Sequence, residues 1–421
     1  MNYTISILQP IHSMKLLLIT ADPKTLLCHR KELIRSIAGK GWEVVAAASG
    51  PGGAAEEFLK SIGGRYVELN GARSGMNPLQ DWRAFRELRK VIREEAPDAV
   101  LPYTIKSVAY GSLAASLEHV PAIYPLICGL GYAFAPASSL KQWLVGRVSS
   151  LLYKVALRRA TLVFLQNHED ERLLRARGIL HRETPSQVVN GSGVELDAFT
   201  PREMDTVGVE RGRMNFVMVS RLLKSKGIRE YVEASRALRA EFPLWQFHVL
   251  GAVDPGPDGI SAQEVERWVA DGLIHYHGSQ SDVRPFLAQA HAFVLPTYYR
   301  EGVPRASLEA LAAGLPIITT DSVGARETVQ LTTAGELQRR AQEPVMEGKN
   351  GYLVRPRHVP GLCYAMRLLA GRAHRLPELS TQSRQLALSR FDVHRVNAVM
   401  MQQIFSTLPT PIPSFQPALP V

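Results

Sequence analysis

Two carboxylates and two cations stand where a nucleotide could be held. Glu301 and Glu309 lie in the segment Glu301-Gly302-Val303-Pro304-Arg305-Ala306-Ser307-Leu308-Glu309. Pro304 suits the first turn of a helix, where its missing N–H is not needed. Gly314 suits the position after the helix and Pro316 prevents continuation, so a helix over 304–313 is predicted. The free amides of Arg305 and Ala306, with the helix dipole, would seat a diphosphate. A carboxylate as deep in the helix as Glu309 can accept both hydroxyls of a ribose, and Glu301 in the preceding loop can hold a sugar hydroxyl. Glutamates at this spacing are ordinarily solvated. The Gly-Pro loop between an apolar strand and a helix is what argues for a site here.

Upstream, Arg221 and Lys226 in SRLLKSKG (220–227) offer two cations at a strand-to-helix turn, where phosphate oxygens need charge-assisted hydrogen bonds. Gly251 ends the next expected strand and lets a nucleotide approach the backbone closely. Tyr276, within IHYHG (274–278), sits where backbone groups could read a base edge. His275 and His277 flank it at strand spacing. A metal pair is conceivable there, but no third ligand is evident, and a structural role is favoured. No metal site is expected.

These residues need a scaffold of strands and helices. KLLLIT (15–20), EVVAAA (43–48), RYVEL, AVLPY, AIYPLI (122–127), LVFLQ (162–166) and QVVN (187–190) read as buried strands. A helix over 29–38 and another carrying Trp82, Phe85, Leu88 and Ile92 lie between them. A second series follows the polar stretch 200–213, which reads as a linker: NFVMVS, a helix over 227–240, WQFHVLG, IHYHG, AFVLP and PIITT. Alternation at this interval predicts parallel sheets covered on both faces, in two Rossmann-like halves with a ligand cleft between them. The expected divisions are an extension over 1–13, an N-terminal domain over 14–204 and a C-terminal domain over 205–385. A helix over 386–407 crosses back, and a Pro-rich disordered tail covers 408–421.

The chain has 421 residues, 46% hydrophobic and 21% charged, a globular composition too long for one ordinary core. Its formal charge of +10 calls for an anionic partner unless the chain is simply Arg-rich. Cys28, Cys128 and Cys363 lie far apart without paired spacing, which argues for reduced thiols and a cytoplasmic setting. Neither a signal peptide nor a membrane-spanning run is evident.

The chain resembles the retaining glycosyltransferases of family 4. The resemblance rests on SRLLKSKG, HVLG, IHYHG, VLPTYYREGVPRASLEALAAGLPIITTD and GKNGYLV, in that order. It implies the GT-B fold, a UDP-sugar as donor substrate and no separate cofactor. It makes Gly251, Tyr276, Gly302, Val303, Arg305, Ala306 and Glu309 the donor site, with Glu301, Arg221 and Lys226 carrying the reaction. Arg73-Ser74, Asn77-Pro78, Thr104 to Ser107, Gly129-Leu130-Gly131, Gln166-Asn167 and Asn190 to Val194 resemble one subgroup. It includes transferases that add N-acetylgalactosamine to undecaprenyl-diphospho-bacillosamine, and enzymes of O-antigen and capsule assembly. The implied acceptor is a polyprenyl-diphosphate-linked sugar, with Arg30, Arg73 and Lys106 facing its diphosphate and Gly129 and Gly131 beside it.

Two departures stand out. Cys128 and Gly129 occupy the place where many members carry a His, so no catalytic His is assigned. The segment 332–345 is an insertion, expected as a surface loop or short helix near the cleft.

The chain contains no Asp-x-Asp, which fits a metal-independent site in which Arg221, Lys226 and helix amides meet the leaving-group charge. No carboxylate is evident as a covalent nucleophile, so front-face attack is expected. The stretch Lys141 to Ala160 has Lys141, Arg147, Lys154, Arg158 and Arg159, no acid, and an apolar stripe of Trp143, Leu144, Val148, Leu151, Leu152 and Val155. It could lie on anionic lipid at the inner face of the cell membrane, or face the core. The main rival activity is a nucleotide-sugar epimerase of the same two-domain architecture. A Rossmann dehydrogenase lacks its GxGxxG, and scattered basic residues argue against nucleic acid.

Overall fold

The computed structural model describes residues 13–70, 78–131, 134 and 140–408. Arg73, Asn77, the extension before Ser13 and the tail beyond Leu408 lie outside these residues, as does the side chain of Lys141.

Among the described residues the first half forms two sheets. Strands β1 (Lys15–Thr20), β2 (Glu43–Ser49), β3 (Arg65–Leu69), β4 (Ala99–Pro102) and β5 (Ala122–Ile123) make a parallel sheet in the order β3-β2-β1-β4-β5. Strands β6 (Leu126–Ile127), β7 (Val163–Leu165) and β8 (Ser186–Val188) make a smaller parallel sheet. Leu16, Leu17 and Leu18 are wholly buried, as a parallel sheet covered on both faces requires. The run 122–127, expected as one strand, divides between the two sheets. Pro125 at the break has no N–H to donate and offers its carbonyl to Phe164 N at 2.8 Å.

Helices α1 (Lys24–Ala38), α2 (Ala54–Ser61), α3 (Pro78–Glu95), α4 (Ile105–Leu117), α5 (Leu140–Ala156) and α6 (His168–Ala176) cover these sheets. On α5, Tyr153 and Ala156 are buried while Leu140, Trp143, Leu144, Val148, Leu151 and Val155 are exposed. The core-facing alternative for this stripe is therefore overturned; of the expected stripe only Leu152 leans onto the core.

The stretch 200–213, expected as a linker, carries α7 (Thr206–Glu210) and buries Met204 and Val209 in the second core. The second half is one seven-stranded sheet. It comprises β9 (Met214–Val219), β10 (Trp245–Leu250), β11 (His275–Tyr276), β12 (Ala292–Leu295), β13 (Ile317–Thr320), β14 (Val345–Gly348) and β15 (Gly351–Val354). Their order is β11-β10-β9-β12-β13-β15-β14, parallel except for β14. Around it lie α8 (Ile228–Arg239), α9 (Ala262–Ala270), α10 (Arg284–Gln289), α11 (Arg305–Ala312), α12 (Thr333–Arg340), α13 (Val359–Gly371) and α14 (Leu376–Leu386).

A last helix, α15 (Val393–Thr407), returns to the first half, where Val396, Met400 and Ile404 join the core above α1. The chain thus passes between the halves twice, and the two passages are bonded together. Val194 N donates to Phe391 O at 2.8 Å, and Val393 N to Val194 O at 3.1 Å.

Candidate donor site and the cleft

The C-terminal ends of β9 and β12 deliver the loops that carry the expected chemistry. Thr297 is fully buried, and its hydroxyl accepts from Tyr299 N at 3.1 Å, curling the loop that presents Glu301. Lys226 ends a tight turn anchored by Asp258, which accepts from Ser225 N at 3.2 Å. These two loops meet: Lys226 Nζ lies 2.6 Å from each oxygen of Glu301, with the side chains only 11% and 15% exposed. The ammonium also stands over the Tyr299 ring, 5.5 Å from its centre. In a largely buried pair of this kind each charge compensates the other, and removing one would leave its partner unpaired.

Helix α11 begins one residue later than expected. Pro304, with φ −62° and ψ 123°, caps the helix from outside rather than entering its first turn. The amides of Arg305 and Ala306 precede any intrahelical acceptor and remain free to bind an anion. Glu309 lies one turn further in and takes a bond from Arg305 Nε at 2.9 Å, while Arg305 Nη1 donates to Gly193 O in the first half at 3.0 Å. Burial pushes the Glu309 carboxyl above the ordinary range, and the nearby Arg305 charge opposes the rise. Arg221 is more peripheral, 60% exposed and paired with Asp254 at 3.1 Å. It sits near Tyr299, whose phenol is raised chiefly by burial and lowered by the Arg221 charge.

Gly251 and Tyr276 close the edge of the same face, the tyrosine hydroxyl donating to Gly251 O at 2.8 Å. The expected histidine pair has a third neighbour that sequence spacing did not reveal. His248 lies beside His275 in register, and its Nδ1 is 3.0 Å from His277 Nε2. Among the described residues no group of three or more His, Cys, Asp or Glu side chains is arranged to hold a metal ion.

Across the cleft, the first half meets the Glu301 loop through bare backbone. Gly302 N donates to Cys128 O at 2.9 Å, and Gly131 N to Arg300 O at 2.8 Å. A Cβ on Gly129, where φ is +117°, would lie 2.4 Å from Gly302 N; one on Gly302 would lie 1.8 Å from the Gln166 side-chain oxygen. Gly129 and Gly131 therefore sit against the donor loop itself, and Val303 is buried beside Gly191. Ion pairs reinforce the contact. Arg300 Nε donates to Asp170 Oδ1 at 2.9 Å, and Arg326 bonds Glu169. Asp170 is 1% exposed, and burial raises its carboxyl while the Arg300 charge holds it down. The sequence hinted at Asp170 only through its capping partner Asn167, which accepts from Asp170 N at 2.7 Å.

Of the expected acceptor residues, Arg30 is 1% exposed, and its Nε and Nη1 have no hydrogen-bond partner. Its third nitrogen donates to Cys128 Sγ at 3.6 Å, and the guanidinium stands 5.6 Å from the centre of the Tyr103 ring. Its neighbour His29 is pushed down to about 3, first by burial and then by the charges of Arg30 and Arg305. Lys106, at the start of α4, is held by Asp81 of α3 at 2.7 Å.

The same two halves match known families. Residues 29–191 match the glycosyl transferase 4-like domain, and residues 213–371 match the glycosyl transferases group 1. The chain is a family 4 glycosyltransferase. This glycosyltransferase is 28% identical over 279 residues to a Campylobacter jejuni protein, the match spanning 64% of this chain and 71% of the relative. That relative is N,N'-diacetylbacillosaminyl-diphospho-undecaprenol alpha-1,3-N-acetylgalactosaminyltransferase. An Escherichia coli UDP-Gal:alpha-D-GlcNAc-diphosphoundecaprenol alpha-1,3-galactosyltransferase is 25% identical over 58% of this chain and 63% of its own. Among solved structures, the Anabaena protein HepE in complex with UDP and glucose aligns with a TM-score of 0.71 at 18% identity, covering 93% of this chain and 100% of that one. A sucrose-phosphate synthase from Thermosynechococcus elongatus aligns at 0.72, also 18% identical, over 93% and 99%. The glycosyltransferase has the GT-B fold, as the family resemblance implied.

Proposed function

We propose that this enzyme moves a hexose or N-acetylhexosamine from a UDP-sugar to a polyprenyl-diphosphate-linked saccharide, with retention and without a metal, in the assembly of a bacterial surface glycan. The observation that carries the donor half is the Lys226–Glu301 pair at the mouth of the α11 amides, facing Gly129 across the cleft. Both partners are held ready for a ligand that offers a diphosphate to Lys226 and sugar hydroxyls to Glu301. The exchange leaves Lys226 paired with an anion and Glu301 hydrogen-bonded. Glu309 takes the ribose hydroxyls, with Gly302, Val303, Arg305 and Ala306 around the diphosphate and Gly251 and Tyr276 around the base. Lys226, Arg221 and the helix amides then stabilise the departing diphosphate as its charge grows. The acceptor hydroxyl attacks from the leaving-group side, losing its proton to the diphosphate.

The acceptor half is supported by Arg30, a buried guanidinium with two unpaired donors, a state that an anion of the acceptor would relieve. Lys106 serves the same diphosphate, and Arg73 joins it by resemblance alone. The names of the Campylobacter and Escherichia relatives, both acting on diphospho-undecaprenol sugars, support this acceptor class. The enzyme works peripherally at the inner face of the cell membrane. The exposed apolar face of α5, interleaved with exposed Arg147, Lys154, Arg158 and Arg159, suits an anionic lipid surface. Among the described residues no helix is long and apolar enough to cross a membrane.

A panel of UDP-sugars with a short polyprenyl-diphospho-sugar, read by mass spectrometry and linkage analysis in EDTA, tests the reaction. Transfer with retained anomeric configuration is expected. Inversion, or loss of activity in EDTA, would refute the mechanism, and conversion of UDP-sugar without acceptor would favour the epimerase. Flotation with anionic vesicles tests α5: Leu151→Glu with Val155→Glu should abolish binding that the unaltered chain shows.

A further inference from the structure

The insertion 332–345 forms a strut that ends at the cleft. Thr332 caps α12, accepting from Gly335 N at 3.0 Å, and the Gln338 side chain accepts from Glu347 N at 2.8 Å, so the helix is locked to edge strand β14. From the last turn of α12, Arg339 Nε donates to Asp321 Oδ2 at 3.1 Å. Asp321 follows β13 and is itself fixed by its backbone bond to Val354 O at 2.8 Å. Its other carboxylate oxygen lies 2.7 Å from Arg326 Nε, an ion pair by distance whose alignment leaves both atoms without a hydrogen bond, and its backbone carbonyl accepts from Arg326 Nη2 at 2.6 Å. Arg326 has one nitrogen left, and that one bonds Glu169 at the start of α6 in the other half. Asp170, next to Glu169, binds Arg300, which directly precedes Glu301. The backbone of Gly324 also packs against Gly302, a Cβ there meeting Gly302 O at 1.8 Å.

We infer that Arg339 is a positioning residue for sugar transfer. Through Asp321 it orients Arg326, and so sets how firmly the two halves hold together around the donor loop. Asp321 carries two arginines. Without Arg339, one carboxylate oxygen is released and the side chain can turn away from Arg326 Nε. Arg326 then keeps its bond to the Asp321 carbonyl but loses the carboxylate charge that steadies the guanidinium facing Glu169. The effect belongs to closure and not to chemistry, because no member of the chain Arg339–Asp321–Arg326–Glu169 bonds Glu301, Lys226 or Glu309 in the structure. This deepens the donor-site reading and rests on it for the kinetic readout alone.

The test compares Arg339→Ala and Arg339→Lys with Arg340→Ala, a change at the exposed neighbour. Amide hydrogen exchange over 168–176, measured on the full chain without substrate, reads the relay independently of any activity. Arg339→Ala should speed exchange there by about threefold, the scale of a partly exposed ion pair, with Arg339→Lys nearer to the unaltered protein and Arg340→Ala unchanged. With the UDP-sugar that the donor panel identifies, Arg339→Ala should raise the donor KM by about threefold and leave kcat within about twofold. Glu169→Gln should have a similar effect, and the double variant Arg339→Ala/Glu169→Gln should be no worse than the more affected single one. Unchanged exchange over 168–176, or effects that add in the double variant, would overturn the inference. If no UDP-sugar serves as donor the proposed function fails, while the exchange comparison still decides the relay.

Discussion

At the scale of single residues, the two glutamates of one short segment have different partners and should fail differently. Glu301 shares its charge with Lys226, whereas Glu309 is tied to Arg305 on its own helix. Glu301→Ala should chiefly lower kcat, by about a hundredfold, the typical cost of losing a group that acts in the transition state. Glu309→Ala should chiefly raise the donor KM, by about tenfold, as expected for a charged hydrogen bond lost from binding. Steady-state kinetics on the two variants checks both, and equal effects on both parameters from each would contradict the division. The raised Glu309 carboxyl adds a pH signature. In the proposed role only the ionised form would accept both ribose hydroxyls, so donor affinity should decline as pH falls through a point above the ordinary carboxylate range of about 4.3. Glu309→Gln should bind more weakly and lose that decline. The placement of these residues could be read in the sequence because it is local: a strand, a loop, a proline and a helix in one short run. Asp170 and Arg300 could not, since the two ends of that ion pair are 130 residues apart and each alone is an ordinary charged side chain.

At the scale of elements, the period of apolar residues revealed most strands, yet misjudged places where one residue changes the local rules. Pro125 splits a six-residue apolar run between two sheets, which composition alone does not show. Met204 and Val209 draw a polar stretch into the second core, because two buried side chains outweigh many exposed ones. His248 was missed beside His275 and His277 because neighbouring strands are brought together by pairing and not by sequence distance. This trio gives the edge of the second sheet a pH dependence. Burial first, then the charges of His275 and His277, push His248 from the ordinary 6.5 down to about 4, and His277 is lowered as well. The folded state therefore favours neutral rings. Stability is fully present above pH 6.5 and should be lost as pH falls toward 4, where the unfolded chain binds protons that the folded one resists. Urea midpoints measured across that interval should decline for the unaltered chain and less steeply for His248→Asn. Parallel declines would remove the histidines as the cause.

At the scale of the whole molecule, α15 ties the end of the chain to its beginning. Val396, Met400 and Ile404 are buried in the first core, and Tyr124 donates to Ile404 O at 3.1 Å. Truncation after Phe391 would expose those side chains' partners on α1 to water, at about 2 kcal/mol for each large apolar side chain lost. The first half should then melt at a lower temperature than the second, turning one calorimetric transition into two; a single transition with unchanged midpoint would contradict this.

The bonded passages at Val194 and Val393 have a mechanical consequence. Two separate tethers would let one half twist or slide over the other, whereas two tethers fastened side by side act as the spine of a book. Any swing of the covers about such a spine would return Gly302 to the same place against Gln166 and Cys128. The registration of the Glu301 loop against the first half is thereby a property of the spine and not of the loop alone.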